Sequence, residues 1–127
     1  MSDVRSSLEE FDAYRQRMNE RILESEHLGL KRFFALDHQA YTEGALSAQT
    51  KELLGLVASL VLRCDDCITY HVIQAREAGV TREQMIEAMN IALVVGGSIV
   101  IPHLRRAFER MDQVEARMEP GSAVSPL

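Results

Sequence analysis

The run Glu52-Leu53-Leu54-Gly55-Leu56-Val57-Ala58-Ser59-Leu60-Val61-Leu62 is apolar on nearly every side when wound at about 100° per residue. A helix of that kind must be central, with other elements packed around it, and this one segment fixes the style of fold. The rest of the chain supplies more helices. Ala, Leu, Glu, Lys and Arg dominate it, and no stretch keeps the period-two alternation of a half-buried strand for more than a few positions. The expected fold is all-α, one domain of about six helices over residues 1–119. Pro120-Gly121-Ser122 and Pro126 then make residues 120–127 a flexible tail.

Local signals divide the helices. Ser7 with Glu10 three residues on has the form of a capping box, and Leu8, Phe11, Tyr14, Met18 and Ile22 continue as an apolar stripe to about Glu26. A second helix is expected from about Leu28 to Tyr41, with Leu30, Phe33, Phe34 and Leu36 as its apolar side and Gly44 as its stop. Ser47 caps the central helix. A fourth begins near Cys64 to Asp66, where two aspartates suit a helix N-terminus, and Gly79 follows its end. Thr81 with Gln84 caps a fifth, whose buried stripe is Met85, Ile86, Met89 and Leu93. Gly96-Gly97-Ser98 either breaks that helix or lets another backbone approach closely, the first being the commoner use. Pro102 fits the first turn of the last helix, which carries Leu104, Phe108, Met111 and Met118 and ends near Glu119.

Composition narrows the function classes. The chain has 127 residues, 46% hydrophobic and 26% charged, and a domain of this size buries enough surface to fold without disulfide or metal staples. Its two cysteines are not needed as scaffolding. With 14 basic against 19 acidic residues, a net charge of −5 and no basic stripe, nucleic acid is not an expected partner. The apolar runs Leu53 to Leu62 and Ile91 to Ile101 are too short for a bilayer span, and Met1-Ser2-Asp3-Val4-Arg5 does not resemble a secretory signal. No membrane partner is expected, and the expected location is cytoplasmic.

The chemistry-bearing segment is Cys64-Asp65-Asp66-Cys67-Ile68-Thr69-Tyr70-His71. On a helix, positions i, i+3 and i+7 fall within roughly 60° of one another, so both sulfurs and the imidazole share a face. At a helix N-terminus, free N–H groups and the macrodipole favour a thiolate, while Asp65 and Asp66 oppose a third negative charge. Three readings stand side by side. The cysteines are idle buried hydrophobes, or they join His71 in a zinc site with Glu52 or a water as the fourth ligand, or they cycle as a dithiol. Zinc is disfavoured because no second ligand pair lies elsewhere in the chain. Tyr70 is placed either to donate to a ligand or to face the core, and His103 suits a helix end better than a pocket. His27 and His38 have no partner at ligand spacing, and the six methionines read as packing, so no cofactor is expected.

Taken together, Glu52, the apolar helix, Cys64-x-x-Cys67-x-x-x-His71, Ala75, Gly79-Val80-Thr81 and the acidic stretch Glu83 to Glu87 resemble the AhpD-like (carboxymuconolactone decarboxylase) family over about Leu46 to Ala107. The most specific part is a glutamate twelve residues before the first cysteine. The resemblance implies a helical fold assembled as a homo-oligomer, often a trimer or hexamer. It also implies a thiol-dependent peroxidase that reduces hydroperoxides and is recharged by a dithiol donor, a lipoyl or thioredoxin-like protein. In that pattern Cys67 attacks the peroxide, Cys64 resolves the sulfenic acid to a disulfide, and Glu52 and His71 relay protons. The best-known hydroperoxidase of the family has a histidine immediately before the second cysteine, where this chain has Asp66. The decarboxylases share the fold without using the cysteine pair, so a lyase is the alternative activity, and a non-enzymatic helical oligomer the alternative to an enzyme.

Overall fold

The computed structural model describes residues 4–118, which form six α-helices and one 3-10 turn without a strand. The helices are α1 (Val4–Glu24), α2 (Leu28–Ala40), α3 (Ala48–Leu62), α4 (Asp65–Glu77), α5 (Arg82–Gly96) and α6 (Ile101–Met118), with the 3-10 turn at Ser98–Val100. Glu119 and the expected tail lie outside the described residues. None of the described helices is long and apolar enough to cross a membrane.

The central helix is α3, which packs against both α4 and α5, while α6 lies on α4 and α1 on α6. Leu56 and Leu60 of α3, Ile68 and Val72 of α4, Met85 and Met89 of α5 and Met111 and Val114 of α6 close one core, joined by Leu8 of α1. Truncating a core leucine such as Leu60 to alanine would cost about 2–5 kcal/mol, a large share of a small domain's stability.

Two helix starts and one stop follow from local chemistry as expected. Ser47 Oγ accepts from the Thr50 N–H at 3.1 Å, and Thr81 and Gln84 satisfy each other's backbone N–H groups at 3.1 and 2.9 Å. Gly79 turns the chain out of α4 at φ +97°, a conformation that excludes most side chains. Of the two readings of the Gly96-Gly97 pair the break holds, while no backbone approaches closely, the space beside Gly96 being taken by side chains. Gly97 adopts φ 82° at the break, and a Cβ on Gly96 would lie 2.5 Å from Val100.

Two expectations need correction. Helix α1 begins at Val4 rather than at Ser7 and stops at Glu24 rather than Glu26. Ser7 is no cap, because the helix continues upstream of it, and its hydroxyl instead accepts from Arg110 of α6 at 3.3 Å. Glu26 takes a left-handed φ of 59° that turns the chain into α2. Helix α2 then ends at Ala40 with Tyr41 as its cap residue, ahead of Gly44, and buries none of its residues: Phe33 is 68% and Leu36 63% exposed. The periodicity is a true helix signal, but none of the described residues buries that face. Leu54 and Leu62 of α3 and Ile91, Val94, Val95 and Ile99 around the end of α5 are exposed as well. The helix that is apolar all round is therefore covered on two sides and open on a third.

Candidate functional site

The α3–α4 junction builds the site. Arg63 closes α3 in the left-handed region at φ 60°, and the Cys64 N–H bonds back to the Ser59 carbonyl at 3.1 Å, which swings Cys64 into the N-cap of α4. Cys64 Sγ accepts from the Cys67 N–H at 3.3 Å, so a sulfur occupies the place usually held by a serine or aspartate oxygen. Cys64 and Cys67 are joined by a disulfide with their Cα atoms 5.3 Å apart. Cys64 is half-buried, while Cys67 is exposed.

The two aspartates after Cys64 part company. Asp65 accepts from His103 at 2.8 Å and from Arg106 at 2.7 Å, both on α6, so its charge is balanced by neighbours. His103 thus anchors the start of α4 and does not line the cavity described below. Asp66 is exposed and turns to that cavity. Of the two opposing charges near the sulfurs, one is spent on an ion pair.

One α4 turn beyond Cys67, His71 is buried, and its Nδ1 lies 2.9 Å from Oε1 of Glu52, itself only 7% exposed. The partner comes from α3, which holds the carboxylate against the ring. On the other side of the ring, the Tyr41 hydroxyl sits 3.4 Å from His71 Nε2, and the Tyr70 ring stands edge-on to the imidazole at 5.2 Å. Burial, with Asp37 and Glu52 nearby, pushes the Tyr41 phenol above its ordinary pKa. With the Glu52 carboxylate accepting from Nδ1–H, Nε2 of the neutral ring is left to accept from the Tyr41 hydroxyl. Burial also pushes the Tyr70 phenol up, against the opposing pull of Arg15.

Gly55 makes this arrangement possible. A Cβ there would lie 2.6 Å from His71 Cε1 and 2.7 Å from Nε2. The imidazole thus packs directly on the α3 backbone, one turn along from Glu52.

Cys67 and His71 open together onto a cavity of about 510 Å³, whose walls include Asp66 and Tyr70 of α4 and residues of α1. A second hollow, about 330 Å³, is lined by Glu52, Tyr41, Tyr70, His38 and Glu77. The Glu52–His71 pair lies between the two. Among the described residues no group of three or more His, Cys, Asp or Glu side chains is placed to hold a metal ion. The structure thus brings Glu52, Cys64, Cys67 and His71 together as the sequence motif suggests, and adds Tyr41, Gly55 and Arg15. Of these, Tyr41 caps α2 and Arg15 lies on α1, both at no diagnostic spacing, and Gly55 shows only as a glycine within a helical run.

The carboxymuconolactone decarboxylase family model matches residues 28–110. This chain belongs to that family. A crystal structure of a family member from Thermotoga maritima superimposes with a TM-score of 0.85 at 48% identity, covering 91% of this chain and 98% of that one. A family member from Legionella pneumophila gives a TM-score of 0.69 at 28% identity over 93% of this chain and all of its own. An uncharacterised protein of the cox locus of Paracoccus denitrificans is 32% identical over 65% of this chain and 75% of its own length. The alkyl hydroperoxide reductase AhpD of Mycobacteroides abscessus is 44% identical, but over only 36% of this chain and 26% of its own length.

Proposed function

We propose that this carboxymuconolactone decarboxylase family protein is a thiol-dependent peroxidase that cycles between a Cys64/Cys67 dithiol and the disulfide. The observation that carries this reading is the exposed Cys67 sulfur on the same cavity as His71, with a second sulfur already bonded to it. In the reduced protein, His71 Nε2 is the nitrogen that takes the Cys67 proton, because Nδ1 is engaged by Glu52, and the Tyr41 hydroxyl that rests on Nε2 turns aside to let it do so. The Cys67 thiolate attacks the terminal oxygen of a hydroperoxide. The O–O bond breaks, Cys67 becomes a sulfenic acid, and the alkoxide leaves with the proton returned by His71. Cys64 then attacks the Cys67 sulfur, forming the disulfide and releasing water. Two electrons from an external dithiol restore the starting state, and a lipoyl or thioredoxin-like protein is the proposed donor.

Glu52 steadies the imidazolium that forms between the two steps, and its opening to the second hollow supports a proton route to solvent. Family membership supports redox use of the pair, as do the partial AhpD match and the possible part in the antioxidative response described for the Thermotoga protein. The exposed apolar faces of α2, α3 and α5 support a homo-oligomer. A reducing cytoplasm would keep the cycle recharged.

The test is thiol counting. Reduced, folded protein given one equivalent of hydroperoxide is expected to lose both thiols within seconds to minutes. Thiols that survive for hours would end the peroxidase reading and bring the lyase or the idle oligomer forward.

A further inference from the structure

Once the disulfide is reduced, a thiolate at Cys67 meets mostly negative charge. Asp66 stands beside it, exposed and on the cavity, and Asp37 of α2 lines the same space. Glu52 of α3 lies behind His71 and is engaged by its Nδ1 at 2.9 Å. Asp65 is balanced from α6 by His103 and Arg106, at 2.8 and 2.7 Å. Tyr14 of α1 and Tyr70 of α4 line the cavity with phenols, and Cys64 is the half-buried second thiol at the N-cap. Among the described residues, the permanently charged cation that lines this cavity is Arg15 of α1.

Arg15 is placed for that space. Its guanidinium lies 4.0 Å from the centre of the Tyr70 ring. Tyr70 follows Cys67 by three residues on α4, and side chains so spaced are neighbours with Cβ atoms roughly 5–6 Å apart. The cation over the ring is therefore about one helical turn from the sulfur. Three other arginines are spent on carboxylates: Arg76 on Glu115, Arg82 on Asp112 and Arg117 on Asp12. Asp12 is the acid three residues before Arg15, and its 2.8 Å bond to Arg117 both ties α1 to α6 and keeps that carboxylate from neutralising Arg15. Arg15 precedes residues 28–110, so the segment matched by the family model does not specify it.

We propose that Arg15 holds the reduced Cys67 as a thiolate, offsetting the charges of Asp66 and Asp37 from outside the cysteine motif. The assignment rests on the reading of Cys67 as the attacking thiol. Its contact is to Tyr70, so it is a positioning residue that acts on the sulfur through its charge. Only the thiolate is the nucleophile, so this balance of charges sets the reactive fraction of Cys67 at neutral pH.

The test follows alkylation of Cys67 by iodoacetamide in reduced protein from about pH 5 to about pH 9, located by tandem mass spectrometry. Native protein is compared with Arg15→Lys, Arg15→Gln and Arg15→Glu, each checked for helix by circular dichroism. The inflection of rate against pH should follow the charge at this position. It is expected to stay within about 0.3 pH units of native in Arg15→Lys, rise by about one unit in Arg15→Gln and rise further in Arg15→Glu. Inflections in helical Arg15→Gln and Arg15→Glu that match the native one would overturn the proposal. So would an Arg15→Lys protein shifted as far as Arg15→Gln, because the role would then belong to shape and not to charge. Alkylation needs no peroxide, which separates two failures. A Cys67 that ionises in the expected order yet survives hydroperoxide ends the peroxidase reading and leaves the charge assignment standing. Rapid oxidation by hydroperoxide with inflections that do not move keeps that reading and removes Arg15 from it.

Discussion

Gly55→Ala should destabilise this protein, although the same change in an ordinary exposed helix stabilises by about 1 kcal/mol. The added methyl would sit 2.6 Å from His71 Cε1, 2.7 Å from Nε2 and 2.9 Å from Nδ1, so it meets the whole face of the ring. Two responses are open. If the imidazole holds its place, overpacking costs about 1–3 kcal/mol. If it swings away, it abandons the 2.9 Å bond to buried Glu52, and a hydrogen bond to a charged partner is worth about 1.5–3 kcal/mol. These are alternatives and not addends, and either is offset by about 1 kcal/mol of helix propensity. The net expectation is a loss of about 1 kcal/mol, measured by urea denaturation of the oxidised protein. Because the ring is displaced or strained, peroxide-driven thiol loss should also slow at least tenfold. A Gly55→Ala protein that gains about 1 kcal/mol and reacts at the native rate would show that the imidazole does not need the bare backbone.

Other outcomes follow from the same geometry. Glu52→Gln keeps the shape of the pair but cannot balance an imidazolium, so Cys67 oxidation should slow about 100-fold with little change in fold, measured by stopped-flow thiol loss. Tyr41 and Tyr70 have phenols raised above 10.0, and a raised acid favours the folded state only while it stays neutral. Their contribution is full below the unfolded value and is lost as pH rises through the folded one. Stability in urea should therefore fall above about pH 10, and less steeply in Tyr41→Phe. Val94→Glu, placed on the exposed apolar face of α5, should give a smaller particle than native protein by light scattering, and an unchanged mass would exclude that face from assembly.

What could be read from the sequence was local. Ser47, the Thr81–Gln84 pair and Gly79 act within one turn, so their roles are visible in a few neighbouring letters, and the i, i+3, i+7 spacing of Cys64, Cys67 and His71 is equally local. Glu52 was different. Its distance from the motif is informative only through the family pattern, since its 2.9 Å contact to His71 depends on how α3 crosses α4. Tyr41 and Arg15 reach the site from α2 and α1 by tertiary packing alone, and no spacing announces them. The stripe of α2 was read correctly as amphipathic, but periodicity reports that a face wants cover and not which surface provides it. At Ser7 the capping pattern misled because the helix did not start there, and a hydroxyl with a partner on α6 has no need of its own backbone.

The central claim, that Cys67 meets the peroxide and Cys64 resolves it, is tested most directly by intact-mass analysis of Cys64→Ser and Cys67→Ser after one equivalent of hydroperoxide. The account predicts one added oxygen, trapped at Cys67, in the Cys64→Ser protein and no change in Cys67→Ser. Oxygen added in Cys67→Ser with none in Cys64→Ser would reverse the assignment and contradict the exposure of the two sulfurs.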